Sequence, residues 1–156
     1  MRFPAALVLI LAHMAFPALA GGLRPFTSES LDVIRAENAE RPFALVFWSI
    51  HCAPCIAEMG LWKAALASRP DARLILVSTD RPSDTARAIR TLDDQGMDGE
   101  AWIFADGNPT RLRFAVDPRW RGELPRSYLY ARDGRLVASI TGEPSEGDLN
   151  GWEPPR

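Results

Sequence analysis

The chain has 156 residues, room for one ordinary domain once a targeting segment is set aside. Hydrophobic residues make up 47% and charged residues 24%, the balance of a soluble globular protein. A formal net charge of -2, with Lys63 as the sole lysine and no Arg cluster, lacks the basic footprint of a nucleic-acid-binding protein.

In chain order, the first twenty residues differ from the rest. Arg2 supplies a positive start, Ala5 to Ala15 is an apolar run broken only by His13, and Pro17 precedes Ala18–Leu19–Ala20, a small-x-small cleavage pattern. The run is short against the roughly 20 residues of a bilayer span. It predicts a cleaved signal peptide over residues 1–20, with an uncleaved membrane anchor as the alternative. The mature chain, residues 21–156, is then a single domain outside the cytoplasm, which reads as periplasmic.

Residues 21–27 show no strong periodicity. Ser28 or Ser30 can cap a helix over Leu31–Glu40, with Leu31, Ile34 and Val33 inward. Phe43–Ser49 is a continuous apolar run of strand length, as in a strand buried on both faces. A helix follows from about Ala53 to Ser68, with Ile56, Met59, Trp62, Ala65 and Leu66 at helical spacing and Gly60 as a kink point. Arg73–Thr79 reads as a second buried strand. Pro82 opens a helix to about Gln95 that turns Ala86, Ile89 and Leu92 inward, with Gly96 as its cap. Trp102–Ala105 is a short strand and Pro109–Phe114 a brief helix. Ser127–Ala131 and Arg135–Ile140 flank Asp133–Gly134, a strong hairpin signal. The tail after Gly142, rich in Pro, Gly and acids, reads as irregular. Strands alternating with helices predict an α/β fold, a mostly parallel sheet with an antiparallel edge.

The chemistry lies in two cysteines, Cys52 and Cys55, separated by two residues. Exported thiols tend toward disulfides, yet a ring this small closes almost no loop and gains little chain entropy. Redox or metal chemistry explains the pair better than stability does. Structural zinc needs about four ligands, and the mature chain offers two Cys and one His. No metal and no cofactor is therefore expected. The pair stands where a strand hands over to a helix, the ligand address of open α/β sheets. A helix start carries unpaired N–H groups and partial positive charge, which favour thiolate over thiol at Cys52. Cys52 should be exposed as nucleophile, and Cys55, one turn on, buried as resolving thiol. Pro54 at an early helical position is tolerated because its missing N–H would go unpaired. Copper offers a second reading: two thiolates with Met59 or His51 would make a soft Cu(I) site in a chaperone-type protein.

The stretch Phe47-Trp48-Ser49-Ile50-His51-Cys52-Ala53-Pro54-Cys55-Ile56-Ala57-Glu58-Met59 resembles the active-site segment of thioredoxin-fold proteins, closest to the exported TlpA/ResA-like branch. Gly122-Glu123-Leu124-Pro125-Arg126-Ser127-Tyr128-Leu129-Tyr130-Ala131-Arg132-Asp133-Gly134 resembles that family's proline segment, and the likeness spans about residues 28–142. It implies a thioredoxin-like fold, a central mixed sheet flanked by helices, and thiol–disulfide exchange through Cys52 and Cys55. It also implies that Pro125 is cis beside the cysteines, with the Leu124 backbone turned to pair with an extended substrate. An acid at the Glu58 position is implicated in tuning the cysteines in this branch. Val46 stands where cytoplasmic thioredoxins carry a buried acid, which raises interest in Glu58. His51 replaces a tryptophan common before the first cysteine; protonated, it would favour the Cys52 thiolate. Trp48 reads as a wall of the site. The partners implied are exported protein thiols and disulfides, with a membrane electron donor and no nucleic acid.

Overall fold

The apolar runs become the middle of one sheet. In this computed structural model, which describes residues 22–152, β2 (Phe43–Trp48), β3 (Arg73–Ser78) and β4 (Glu100–Phe104) are parallel neighbours. Every residue of β2 is buried, as a strand covered on both faces requires. β5 (Arg126–Tyr130) pairs antiparallel with β2, and β6 (Leu136–Thr141) with β5. The turn between them uses Gly134 at φ 78°, a conformation glycine adopts without a Cβ penalty. A short strand, β1 (Arg24–Phe26), completes a six-stranded mixed sheet in the order β1-β4-β3-β2-β5-β6.

Helices cover both faces. α1 (Ser30–Glu37) and α5 (Pro109–Val116) bury Leu31, Ile34 and Leu112 against an aromatic face that includes Phe26, Phe43, Phe47, Trp120 and Tyr128. Ring contacts such as Phe43 on Tyr130 at 4.5 Å and Phe47 on Trp120 at 4.6 Å add directional packing there. The opposite face carries α2 (Ala53–Ala57), α3 (Met59–Ala67), α4 (Thr85–Asp94) and α6 (Glu146–Trp152). They cover Ala44, Val46 and Trp48 with Cys55, Met59, Trp62, Ala88, Leu92 and Trp152.

Several expectations need correction. The predicted helix Ala53–Ser68 is two helices that meet at Glu58, not at Gly60. Residues before Ser28, read as patternless, include β1; a strand of three residues is too short to show a period. The tail after Gly142, read as irregular, contains α6, which docks Trp152 into the core through an indole N–H donated to Tyr130 O at 2.8 Å. The packed domain, whose core the resemblance sets at about residues 28–142, thus extends beyond that range at both ends. The helix from Pro82 begins as a 3-10 turn, Pro82–Asp84, so the inward stripe falls on Ala88 and Leu92 while Ala86 faces solvent. Val33 is exposed rather than inward, and α1 ends at Glu37. The signal-peptide reading of residues 1–20 lies outside the described residues. No described helix is long and apolar enough to cross a membrane.

Candidate redox site

Register decides what meets what. Parallel pairing sets Trp48 opposite Ser78, so the segments after β2 and β3 emerge side by side. Antiparallel pairing sets Phe47 opposite Arg126, so Leu124 and Pro125, just before β5, lie against the end of β2. Three segments far apart in sequence therefore converge beyond Trp48, where the cysteines begin.

Cys52 is the N-cap of α2, with extended backbone, and its Sγ accepts from the Cys55 N–H at 3.3 Å. The two sulfurs form a disulfide of 2.03 Å, with Cα atoms 5.3 Å apart. Their environments differ: Cys52 is partly exposed, whereas Cys55 is 1% exposed. His51, Ala53 and Pro54, the neighbours of Cys52, are exposed. Pro54 occupies the first turn of α2. The Leu124–Pro125 peptide is cis, Leu124 is partly buried against the same cluster as Trp48, Cys52 and Cys55, and Pro125 is buried. The Pro125 carbonyl accepts from Gly142 N–H at 2.9 Å, which fastens this loop to the end of β6.

Glu58 lies one turn beyond Cys55 and is only 2% exposed, so it is not a solvated helix-surface residue. Burial pushes its carboxyl up to about 7 from the ordinary 4.5; the Trp62 indole N–H, donated to Oε1 at 3.1 Å, opposes this, and the Glu143 carboxylate adds to it. The second oxygen, Oε2, has no hydrogen-bond partner among the described residues. Such a carboxyl changes protonation state near neutrality. Trp48 is fully buried beneath the cysteines, with its indole N–H unpaired among the described residues. Met59 is buried in the core with Trp62.

The sequence pattern gave no hint of Asp80. It is buried just past β3, and it accepts hydrogen bonds from Ser49 Oγ and Ser78 Oγ, both at 2.6 Å, and from Ile50 N–H at 2.9 Å. Its partners come from the end of β3 and from the loop after β2, and only the pairing of those two strands, invisible in either stretch alone, brings them together. A cavity of about 590 Å³, lined in part by Asn38, Lys63, Arg73 and Met97, lies at the opposite end of the sheet, away from the cysteines.

A central β2 followed by a partly exposed cysteine at a helix start, flanked by a cis-proline loop and closed by an antiparallel hairpin, is decisive for the architecture. The chain has the thioredoxin fold. No family model and no curated protein matches the sequence. Solved structures share the fold. A secreted Mycobacterium tuberculosis disulfide oxidoreductase, described as homologous to Escherichia coli DsbE, is 21% identical over 74% of this chain and 82% of its own, with a TM-score of 0.55. A thiol:disulfide interchange protein from Chlorobium tepidum is 19% identical over 74% of this chain and 79% of its own, with a TM-score of 0.55. StoA from Bacillus subtilis is 17% identical over 75% and 85%, with a TM-score of 0.53.

Proposed function

We propose that this thioredoxin-fold protein is a thiol–disulfide oxidoreductase working outside the cytoplasm, where it reduces disulfides of specific exported proteins. The observation that carries this reading is the asymmetry of the pair: Cys52 partly exposed at the start of α2, bonded to a buried Cys55. In the reduced protein the Cys52 thiolate attacks a substrate disulfide. A Cys52–substrate bond forms, and the other substrate sulfur leaves as a thiolate that takes up a proton. Cys55 then attacks Cys52 Sγ, the mixed disulfide breaks, and the second substrate sulfur is released. Two electrons have passed to the substrate, and Cys52–Cys55 is the oxidised product. Glu58, buried and protonating near neutrality, is suited to take the Cys55 proton as that thiol becomes a nucleophile. A dithiol donor, on the membrane in this reading, returns the pair to its reduced state.

Leu124 lines the substrate groove, held in place by the buried Pro125; His51 and Pro54 stand on its rim, and the buried Trp48 supports it from the core. The exported location is supported by the Arg2-to-Ala20 pattern and by the secreted Mycobacterium tuberculosis neighbour. The copper reading needs Met59 or His51 beside the thiolates; Met59 is packed in the core, which leaves the exposed His51 as the one further ligand that reading could use.

Insulin reduction by residues 21–156 with dithiothreitol as donor tests the proposal. Turnover above the donor's own rate is expected, and Cys52→Ser should remove it. A variant that keeps full activity, or stoichiometric Cu(I) binding without disulfide exchange, would overturn the reading.

A further inference from the structure

The loop between β2 and Cys52 is held from outside itself. Ser49 Oγ donates to Asp80 Oδ1 at 2.6 Å, and Ile50 N–H donates to Asp80 Oδ2 at 2.9 Å. Ser49 Oγ accepts in turn from His51 N–H at 3.1 Å, and Ser49 O accepts from Cys52 N–H at 3.0 Å. Each backbone N–H from Ile50 to Cys52 thus ends on Asp80 or on the serine that Asp80 grips. Asp80 is itself fixed: Ser78 Oγ donates to Oδ2 at 2.6 Å, and Asp80 N–H donates to Ser78 Oγ at 3.1 Å. Thr79 N–H, donated to Trp48 O at 2.8 Å, ties the two strand ends together.

A buried carboxylate is costly to keep unless donors surround it. Here the donors are two hydroxyls and a backbone amide, and two of the three belong to the segment that delivers Cys52. An ordinary surface turn needs no such group. We propose that Asp80 is a positioning residue for Cys52. Acting through Ser49 and Ile50, it sets the path of the chain into α2, so that the sulfur meets the unpaired N–H groups of the first turn. This deepens the disulfide-exchange reading and rests on it. Asp80 touches neither sulfur and takes no part in electron transfer.

A purely electrostatic role predicts the opposite sign, which makes the idea testable. If Asp80 acted on Cys52 by its charge, removing that charge would favour the thiolate and speed its reactions. If it acts by position, loosening the loop moves the sulfur off the helix start and slows them. The measurement is the rate of Cys52 alkylation by iodoacetamide against pH, resolved by mass spectrometry, on the reduced protein. Ser49→Ala removes the hydroxyl link, keeps the Ile50 N–H bond to Asp80 and leaves every charge in place; Asp80→Asn keeps one acceptor oxygen where the carboxylate offers two. At pH 7 both should slow alkylation, Ser49→Ala by about tenfold, the scale on which small misplacements of a reacting group register. The thiol titration should move upward, and Ser49→Thr, which restores the hydroxyl, should recover the wild-type profile. Thermal unfolding of each variant identifies any that is misfolded, and Ser49→Ala carries the test if Asp80→Asn is.

Unchanged profiles in a folded Ser49→Ala, or faster alkylation in Asp80→Asn, would overturn the positioning role. Insulin reduction read in the same preparations separates the two claims. Wild-type protein that reduces insulin beside unaffected variants sinks positioning alone. Wild-type protein that alkylates fast yet reduces nothing sinks the oxidoreductase reading.

Discussion

Cys52 and Cys55 are three residues apart, yet the first is partly exposed and the second buried, the difference on which the proposed division of roles rests. Only Cys52 is open to an incoming disulfide, so Cys55→Ser should stop the reaction midway and accumulate a protein–substrate mixed disulfide, visible on a non-reducing gel; accumulation with Cys52→Ser instead would reverse the assignment. Glu58 shows how far a single residue can be read. Its i,i+3 spacing from Cys55 was legible in the sequence, but whether it faced water or core was not, because Glu58 lies at the joint between two helices where one helical period gives no answer. Trp62 donates the hydrogen bond that holds its carboxyl down against burial. Trp62→Phe deletes that donor and should move the Glu58 titration above about 7, a shift that carbon-13 labelled NMR would follow. A fall or no change would mean that the indole is not what restrains it.

Among the elements, what the sequence disclosed depended on how local each signal was. Asp133–Gly134 announced the β5–β6 hairpin because a positive-φ glycine specifies the turn within a few residues. β2 and β3 were legible as unbroken apolar runs. β1 has three residues and exists only by pairing with β4, and α6 is held by Trp152 reaching back to Tyr130, so neither carries a local pattern. The joint between α2 and α3 has a practical consequence. Gly60, in the first turn of α3, is exposed, and a Cβ built there meets nothing within 4 Å. Gly60→Ala should therefore stabilise the protein by about 0.5–1 kcal/mol in urea unfolding, through lost freedom of the unfolded chain. Destabilisation would show that α3 needs glycine for movement that the folded structure does not display.

At the level of the whole molecule, carboxyl groups pull the pH dependence of stability in opposite directions. Burial alone would raise Asp117, but the Arg119 N–H and the Arg119 and Arg126 guanidiniums hold it below the ordinary range. Arg24 likewise lowers Glu37. Their stabilisation is present above the usual carboxylate range and fades as pH falls through it. Glu58 acts in reverse. Between pH 4.5 and about 7 the folded protein keeps a proton that the unfolded chain has released, so stability declines as pH rises, by at most about 3 kcal/mol. The oxidised protein should be most stable in mild acid. Glu58→Gln should flatten the decline between pH 5 and 8 in denaturant titrations, and parallel curves for the two proteins would exclude this account. The outer strand β1 has a different bearing on how the molecule behaves in a crowd. Of its three residues the middle one is Pro25, which has no amide hydrogen to offer a neighbour. A second copy arriving along that border meets a three-residue strand with a missing donor at its centre, a poor template on which to extend the ladder.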